Sequence, residues 1–343
     1  MPFVRGWAGS ISCPSNIPPV DDLTPRDTHP WVAEARRTIG FGAMILSPRD
    51  LSPGTVDFAK TLERLGFSSL FIADHPLGNG DCWTTLAAFA VATRAIRLGT
   101  LVCCVYYRPP ELLARHAADV DRLSAGRLTL GLGIGDAPGE FEQMGLRYPS
   151  VPERQRALED TIGVVRGLWG GAPVSYEGEL GTLRGANVRP GPVQRPRVPV
   201  LIAGGGEKVT LRQVARYADV SNFGEHETVG TAQTLDDVRR KFDALRRHCD
   251  DAGRDYDSIL RTHITLPLVV ARDEAAVRAK YLRVPERRRT GQASSLKALT
   301  PEQAVAYYRG LAEAGMQHFV VGLLPDDVET AELVAEQVMP AFR

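Results

Sequence analysis

Three consecutive glycines, Gly204, Gly205 and Gly206, end the apolar run "PVLIA" and open the periodic stretch "EKVTLRQVARYAD". A strand–glycine–helix turn suits an anion. Without Cβ the backbone approaches closely, and the N–H groups and helix dipole favour negative charge. Lys208 adds a point charge. Upstream, the run "SSLFIA" ends in Asp74–His75, and an imidazole at a strand end can pass a proton near neutral pH. The segment "GLGIGD", Gly131–Asp136, imitates the start of a dinucleotide fingerprint. It places Asp136 where that motif needs Gly or Ala, and Pro138–Gly139 where the helix should begin, so the match is poor. "NFGEHET" offers Asn222, Glu225, His226 and Glu227 either to a substrate pocket or to an exposed polar loop. The run Arg287–Arg289 reads as a phosphate contact or as a solvated charge cluster.

Composition removes several classes. Lys+Arg and Asp+Glu are both 41 in 343 residues, so the basic surplus of a nucleic-acid binder is missing. No apolar run reaches the length of a membrane span, and the N-terminal stretch lacks a signal-peptide core, which predicts a cytoplasmic protein. The five cysteines show no CxxC spacing, and neither HExxH nor GxSxG occurs. No metal site is expected. Cys103–Cys104 reads as strand-end packing, and Trp83 as core.

These residues need elements to hold them. Residues 1–38 show no sustained period and read as an irregular extension that wraps the body or covers a site. From 39 to 343 short apolar runs alternate with helical periods: "FGAMIL", "SSLFIA", "IRLGTLV", "RLTLGLG", "PVLIA", "DVSNF", "THITLPLVV" and "HFVVGLL". The last but one contains an awkward Pro267. A helix is expected over 207–218, directly after the glycines, and another opens at Pro109–Pro110. Residues 170–198 read as an insertion after strand four, and "RVPERRRTGQASS" as one after strand seven. Buried, non-alternating strands separated by helices predict an α/β parallel sheet: a (β/α)8 TIM barrel, with a doubly wound sheet as the rival. In a barrel, function gathers where strands end, at Ser47, Asp74–His75, Leu101–Cys104, Gly133–Asp136, Gly204–Gly206, Asn222–His226, the region after Val270, and Gly322.

Taken together, "IRLGTLVCCVYYRPPELLARHAADVDRLSAGRLTLGLGIG", the "DH" after strand two, "GGGEKVTLRQVARYADVSNF" and "HFVVGLL" resemble the bacterial luciferase-like monooxygenase superfamily. The variants are most similar to its coenzyme F420-dependent oxidoreductase branch. The resemblance runs from about Phe41 to the C-terminus. It implies a (β/α)8 barrel with the coenzyme across the carboxyl mouth and its phosphate on Gly204, Gly205 and Gly206. His75 would lie against the deazaflavin ring, with Asp74 holding the ring edge or orienting the histidine. Leu101–Val102 would be a non-prolyl cis peptide at the ring's back face. Asp136 would stand where relatives that oxidise sugar phosphates carry a proton-donating Glu. Cys104, Ile134, Gly135, Lys208 and Asn222 would complete the coenzyme contacts. Gly139 replaces a polar coenzyme contact, Glu140 keeps the usual acid, and Asn79 replaces a tryptophan, which argues against a sugar phosphate as substrate.

The implied activity is hydride transfer between the deazaflavin C5 and a small organic substrate, with reduction of an activated C=C or C=N favoured. Two alternatives stand beside it. One is an FMN-dependent monooxygenase on the same barrel, drawing reduced flavin from a partner reductase. The other is a non-catalytic member. A homodimer is expected in either case.

Overall fold

The computed structural model describes residues 24–46, 51–225, 232–286, 289, 295–325 and 327–343. Ser47, His226, Glu227, Arg287, Arg288 and residues 1–23, for which expectations were stated, lie outside the described residues.

Eight strands form the sheet: β1 (Gly40–Ile45), β2 (Ser69–Ile72), β3 (Arg97–Thr100), β4 (Leu128–Gly133), β5 (Val200–Ala203), β6 (Val220–Gly224), β7 (Leu260–Thr265) and β8 (His318–Leu323). Every pairing among them is parallel. Leu98 opposite Leu128 and Gly99 opposite Thr129 join β3 to β4 and close the ring. The closed ring excludes the doubly wound sheet. It also explains why the strands carry no polar alternation. Phe71 points into the barrel interior with Met44, Leu201 and Val320, while its neighbours Leu70 and Ile72 meet the outer helices. Both faces are dry, so both must be apolar.

Helices Pro53–Arg64, Cys82–Ala92, Pro110–Leu123, Val151–Trp169, Thr210–Tyr217, Leu235–Asp251 and Pro301–Glu313 cover the outside. Their starts are legible locally. Thr234 with Asp237, and Thr300 with Gln303, form reciprocal capping boxes. Among the described residues no helix is long and apolar enough to cross a membrane.

Three expectations change. "THITLPLVV" is two strands: β7 ends at Thr265, the Leu266–Pro267 bond is cis, and Leu268–Val270 pairs instead with Lys297–Leu299 outside the barrel. Proline has no N–H to continue the ladder. The helix after the glycines begins at Thr210 rather than 207, because residues 207–209 form a turn and Val209 takes the N-cap position. The extension is not wholly irregular: Pro30–Ala35 is a helix whose N-cap, His29, accepts from the Trp31 N–H at 3.2 Å.

That helix seals the barrel floor, not the mouth. Val32 is fully buried in the interior cluster, and the Arg97 guanidinium at the start of β3 lies 4.2 Å from the Trp31 ring centroid. His29 Nε2 bonds the Arg197 carbonyl oxygen, just ahead of β5, at 3.1 Å. The insertion after β4 contains an antiparallel hairpin, Val174–Gly178 with Gly181–Ala186. The one after β7 carries the extra strand pair and helix Glu274–Arg283.

Candidate active site

The carboxyl ends of the strands surround an open basin of about 920 Å3 including its mouth. Met44, Ile264 and Leu266 give it an apolar base, and Leu101 and Val102 form one wall.

The wall is built by a break in β3. The ladder stops at Thr100, the Leu101–Val102 peptide bond is cis, and pairing resumes where Cys103–Cys104 meets Leu132–Gly133. Thr100 bridges the gap: its hydroxyl donates to the Gly131 carbonyl at 2.7 Å and accepts from the Gly131 N–H at 3.0 Å. The glycines of "GLGIGD" serve this wall. A Cβ at Gly133 would stand 2.5 Å from Val102 Cγ2. Gly135 has φ +80°, and a Cβ there would meet Cys104 Sγ at 2.8 Å. Close approach, not a dinucleotide phosphate, fixes them as glycine.

At the rim, β2 delivers Asp74 and His75. Asp74 is buried, and its Oδ2 accepts from Arg108 at 2.6 Å; the same guanidinium reaches Asp81 Oδ2 at 2.7 Å. Burial works against the Arg108 charge, yet Asp74 beside it holds its pKa above the ordinary arginine value. Asp81 in turn caps the helix Cys82–Ala92. Asp74, Cys82 and Cys103 bring ligand atoms within 4.8 Å of one another, but Arg108 already compensates the carboxylate. Cys82 and Cys103 Sγ are 4.0 Å apart and buried, and burial pushes the Cys104 thiol up to about 12, so these sulfurs are packing groups rather than nucleophiles.

His75 is half-exposed and pairs through Nδ1 with Glu140 Oε2 at 2.9 Å. Tyr107 donates to the same oxygen at 2.8 Å. Asp136 is exposed and lines the basin. Gly204, with φ +124°, and buried Asn222, whose Nδ2 donates to Thr262 Oγ1 at 2.8 Å, complete the far side.

Of the fifteen residues to which the resemblance gives a catalytic or coenzyme position, ten line one basin: Asp74, His75, Leu101, Val102, Cys104, Ile134, Gly135, Asp136, Gly204 and Asn222. Five do not. Glu140 stands behind His75. Gly139 is exposed in the helix Pro138–Gln143, with nothing within 4 Å of where its Cβ would be. The glycine loop turns away after Gly204: the Gly205 carbonyl accepts from buried Lys241 at 2.7 Å, while Gly206 and exposed Lys208 border a separate groove beside the helix Val151–Trp169. Glu225 faces neither, being paired with Lys297 and accepting from Tyr307 at 2.9 Å. Trp83 is buried core, as read.

Sequence reasoning missed Tyr107, Arg108, Lys241 and Arg154, whose guanidinium bonds the Gly135 carbonyl. Tyr107 and Arg108 had a signal, since they directly precede Pro109–Pro110 in the loop after β3. Lys241 and Arg154 had none, because each acts from a helix on a backbone oxygen distant in sequence.

A closed parallel barrel with a ligand-sized basin at its carboxyl mouth defines the class: a (β/α)8 protein of the kind whose chemistry sits in the βα loops. Within that class the chain belongs to the luciferase-like monooxygenase family, whose model matches residues 39–342. It is 27% identical over 323 residues to the F420-dependent glucose-6-phosphate dehydrogenase of Amycolatopsis mediterranei (strain U-32), covering 86% of this chain and 95% of that one. It is also 27% identical over 234 residues to the 4-hydroxyprotoasukamycin monooxygenase of Streptomyces nodosus subsp. asukaensis, covering 64% of this chain and 61% of that one. The coenzyme F420-dependent tetrahydromethanopterin reductase of Methanopyrus kandleri shares the fold, with TM-score 0.75 and 24% identity over 89% of this chain and all of the other.

Proposed function

We propose that this protein is a coenzyme F420-dependent oxidoreductase acting on a small organic substrate. The observation that carries the reading is the basin itself: an apolar Leu101–Val102 wall, a titratable His75 at its rim and a positive-φ Gly204 across from it.

The basin residues fit a tricyclic ring. The Gly133 cradle leaves Val102 space that any Cβ would fill, and Asp74 presents a fixed carboxylate edge. Gly204 offers close backbone approach to a phosphate. Gly205, Gly206 and Lys208 belong to this function only through a ligand that reaches past the loop. Bound there, the deazaflavin supplies a hydride acceptor or donor at C5. The protein's own groups do the rest. The wall excludes water from one face, Asp74 orients, and His75 and Asp136 exchange a proton with substrate. The Asp136 side chain is one methylene shorter than a glutamate, so its reach into the basin is less.

Reduction of an activated C=C or C=N is the favoured direction. A sugar phosphate is disfavoured, because Arg108, the guanidinium beside the basin residue Asp74, is already paired with Asp74 and Asp81. The same reading makes the protein a cytoplasmic homodimer. The test is titration of the purified chain with F420 and, separately, FMN, followed by fluorescence quenching. Micromolar F420 binding lost in Gly133→Val, with turnover abolished in His75→Ala, supports the proposal; tight FMN binding without response to F420 overturns it.

One specific likeness favours a second reading. The Streptomyces relative is a monooxygenase, and an FMN-dependent monooxygenase fed by a partner reductase would use the same wall and basin. Consumption of oxygen with reduced FMN would select it.

A further inference from the structure

Three βα loops converge on one oxygen atom. Glu140, in the first turn of the helix Pro138–Gln143 after β4, places Oε2 2.9 Å from His75 Nδ1 at the end of β2. The same Oε2 lies 2.8 Å from the hydroxyl of Tyr107, in the loop after β3. A carboxylate oxygen only accepts, so each neighbour at these distances must donate. Burial, reinforced by the bond to Glu140, pushes the Tyr107 phenol far above its ordinary pKa, so it keeps its proton and remains a donor. Nδ1 must then carry the ring proton. Were it the bare nitrogen, two acceptor lone pairs would face each other at 2.9 Å.

We propose that Glu140 and Tyr107 are positioning residues that hold His75 as its Nδ1–H tautomer, leaving Nε2 as the bare nitrogen that exchanges a proton with substrate. The inference rests on the function proposed above and names the group that handles its proton. In the reducing direction, the imidazolium returns the Nε2 proton to the nitrogen or carbon next to the carbon that receives the hydride. That step converts C=N to CH–NH, or C=C to CH–CH. In the oxidising direction a substrate O–H or N–H gives its proton to Nε2 as the hydride leaves the adjacent carbon. In both, the Glu140 carboxylate compensates the positive charge across Nδ1–H.

Tyr107 adds something a lone Glu–His pair lacks. Its ring lines the basin while its hydroxyl fixes the carboxylate, so Glu140 cannot swing to solvent without breaking a second bond. Phe141 supports that ring, with centroids 5.3 Å apart. The orientation of His75 is thus set by packing in the same loop that shapes the pocket.

The experiment reads the tautomer directly in the coenzyme-free protein, by long-range proton–nitrogen correlation NMR on histidine labelled with nitrogen-15. The His75 signals are assigned by their loss in His75→Asn, and spectra are taken above the ordinary histidine titration range. The wild type is expected to show Nδ1–H. Glu140→Ala should convert it to the Nε2–H form, and Glu140→Gln, which keeps a carbonyl acceptor, should restore Nδ1–H in a substantial fraction. With F420 bound, Glu140→Ala should lower kcat on the order of 10–100-fold, the range for losing a histidine's orienting partner, while leaving coenzyme affinity within a factor of two or so. An Nε2–H signal in the wild type, or an unchanged tautomer in folded Glu140→Ala, overturns the inference. Failure of F420 to bind overturns the proposed function instead and leaves the tautomer result standing, so the two failures are distinct.

Discussion

Gly133 lies directly beneath Val102: a Cβ on the glycine would sit 2.5 Å from Val102 Cγ2, closer than any real contact allows. The space that lets Val102 form the basin wall is therefore set by one absent methyl group on the neighbouring strand. Gly133→Ala should push Val102 toward the basin. The overpacking costs about 1–3 kcal/mol, and F420 affinity should fall by roughly tenfold or more if that strain is relieved into the site. A coenzyme titration of the variant checks it; unchanged affinity would show that the wall does not touch the ring.

Arg108 secures the other end of the site. Its partner Asp74 has a side chain only 1% exposed, so removing the guanidinium strands a buried carboxylate. Arg108→Met should cost about 3–5 kcal/mol, and the double variant with Asp74→Asn should recover much of it. Urea unfolding of the two variants compares them. Equal stabilities would mean that the Cys82 thiol alone suffices for Asp74.

Acid should weaken the barrel through two buried histidines, neither of which lines the basin. Burial lowers His263 from 6.5 to about 3, with Lys297 adding to the effect, and lowers His318 from 6.5 to about 4. Folded-state values below the unfolded ones mean that the unfolded chain binds more protons. The stability is complete above 6.5 and is lost as pH falls from there toward the folded values. Each imidazole should contribute a slope of about 1.4 kcal/mol per pH unit within that window. Denaturation at a series of pH values measures it, and His318→Asn should make the decline shallower. A flat profile would show that the imidazoles titrate freely in the folded state.

Stability and ligand binding should separate at the floor. Trp31 stacks on Arg97 at 4.2 Å, at the barrel end opposite the basin. Trp31→Ala should cost about 2–4 kcal/mol through lost packing and cation–π contact while leaving coenzyme affinity unaltered. A large loss of affinity at normal stability would assign the extension to the site after all.

Much of the barrel was legible because its cause is local. Runs such as "LFIA" and "FVVGLL" are apolar throughout, since both faces of a parallel strand are covered, and helix starts such as Thr234 and Thr300 carry their own caps. The failures were also local in origin. Pro267 split one strand, and the turn 207–209 delayed a helix that the glycines seemed to launch. Among the residues that line the basin, Asp74, His75, Asp136, Gly204 and Asn222 were legible from their position at strand ends. Lys241 and Arg154 were not legible, because nothing in their own neighbourhoods marks the backbone oxygens they bond.

The sequence by itself determined the order of strands and helices, the apolar faces and the strand-end residues, because those follow from periodicity and from contacts a few residues apart. Tertiary structure alone decided which candidates share a basin. It turned Gly204 inward and Gly206 outward, set the helix Pro30–Ala35 at the floor, and brought Tyr107, Glu140 and His75 to a single oxygen. Such meetings depend on closing the ring, where residues 65 positions apart in the chain come within 2.9 Å, and no local pattern encodes that distance.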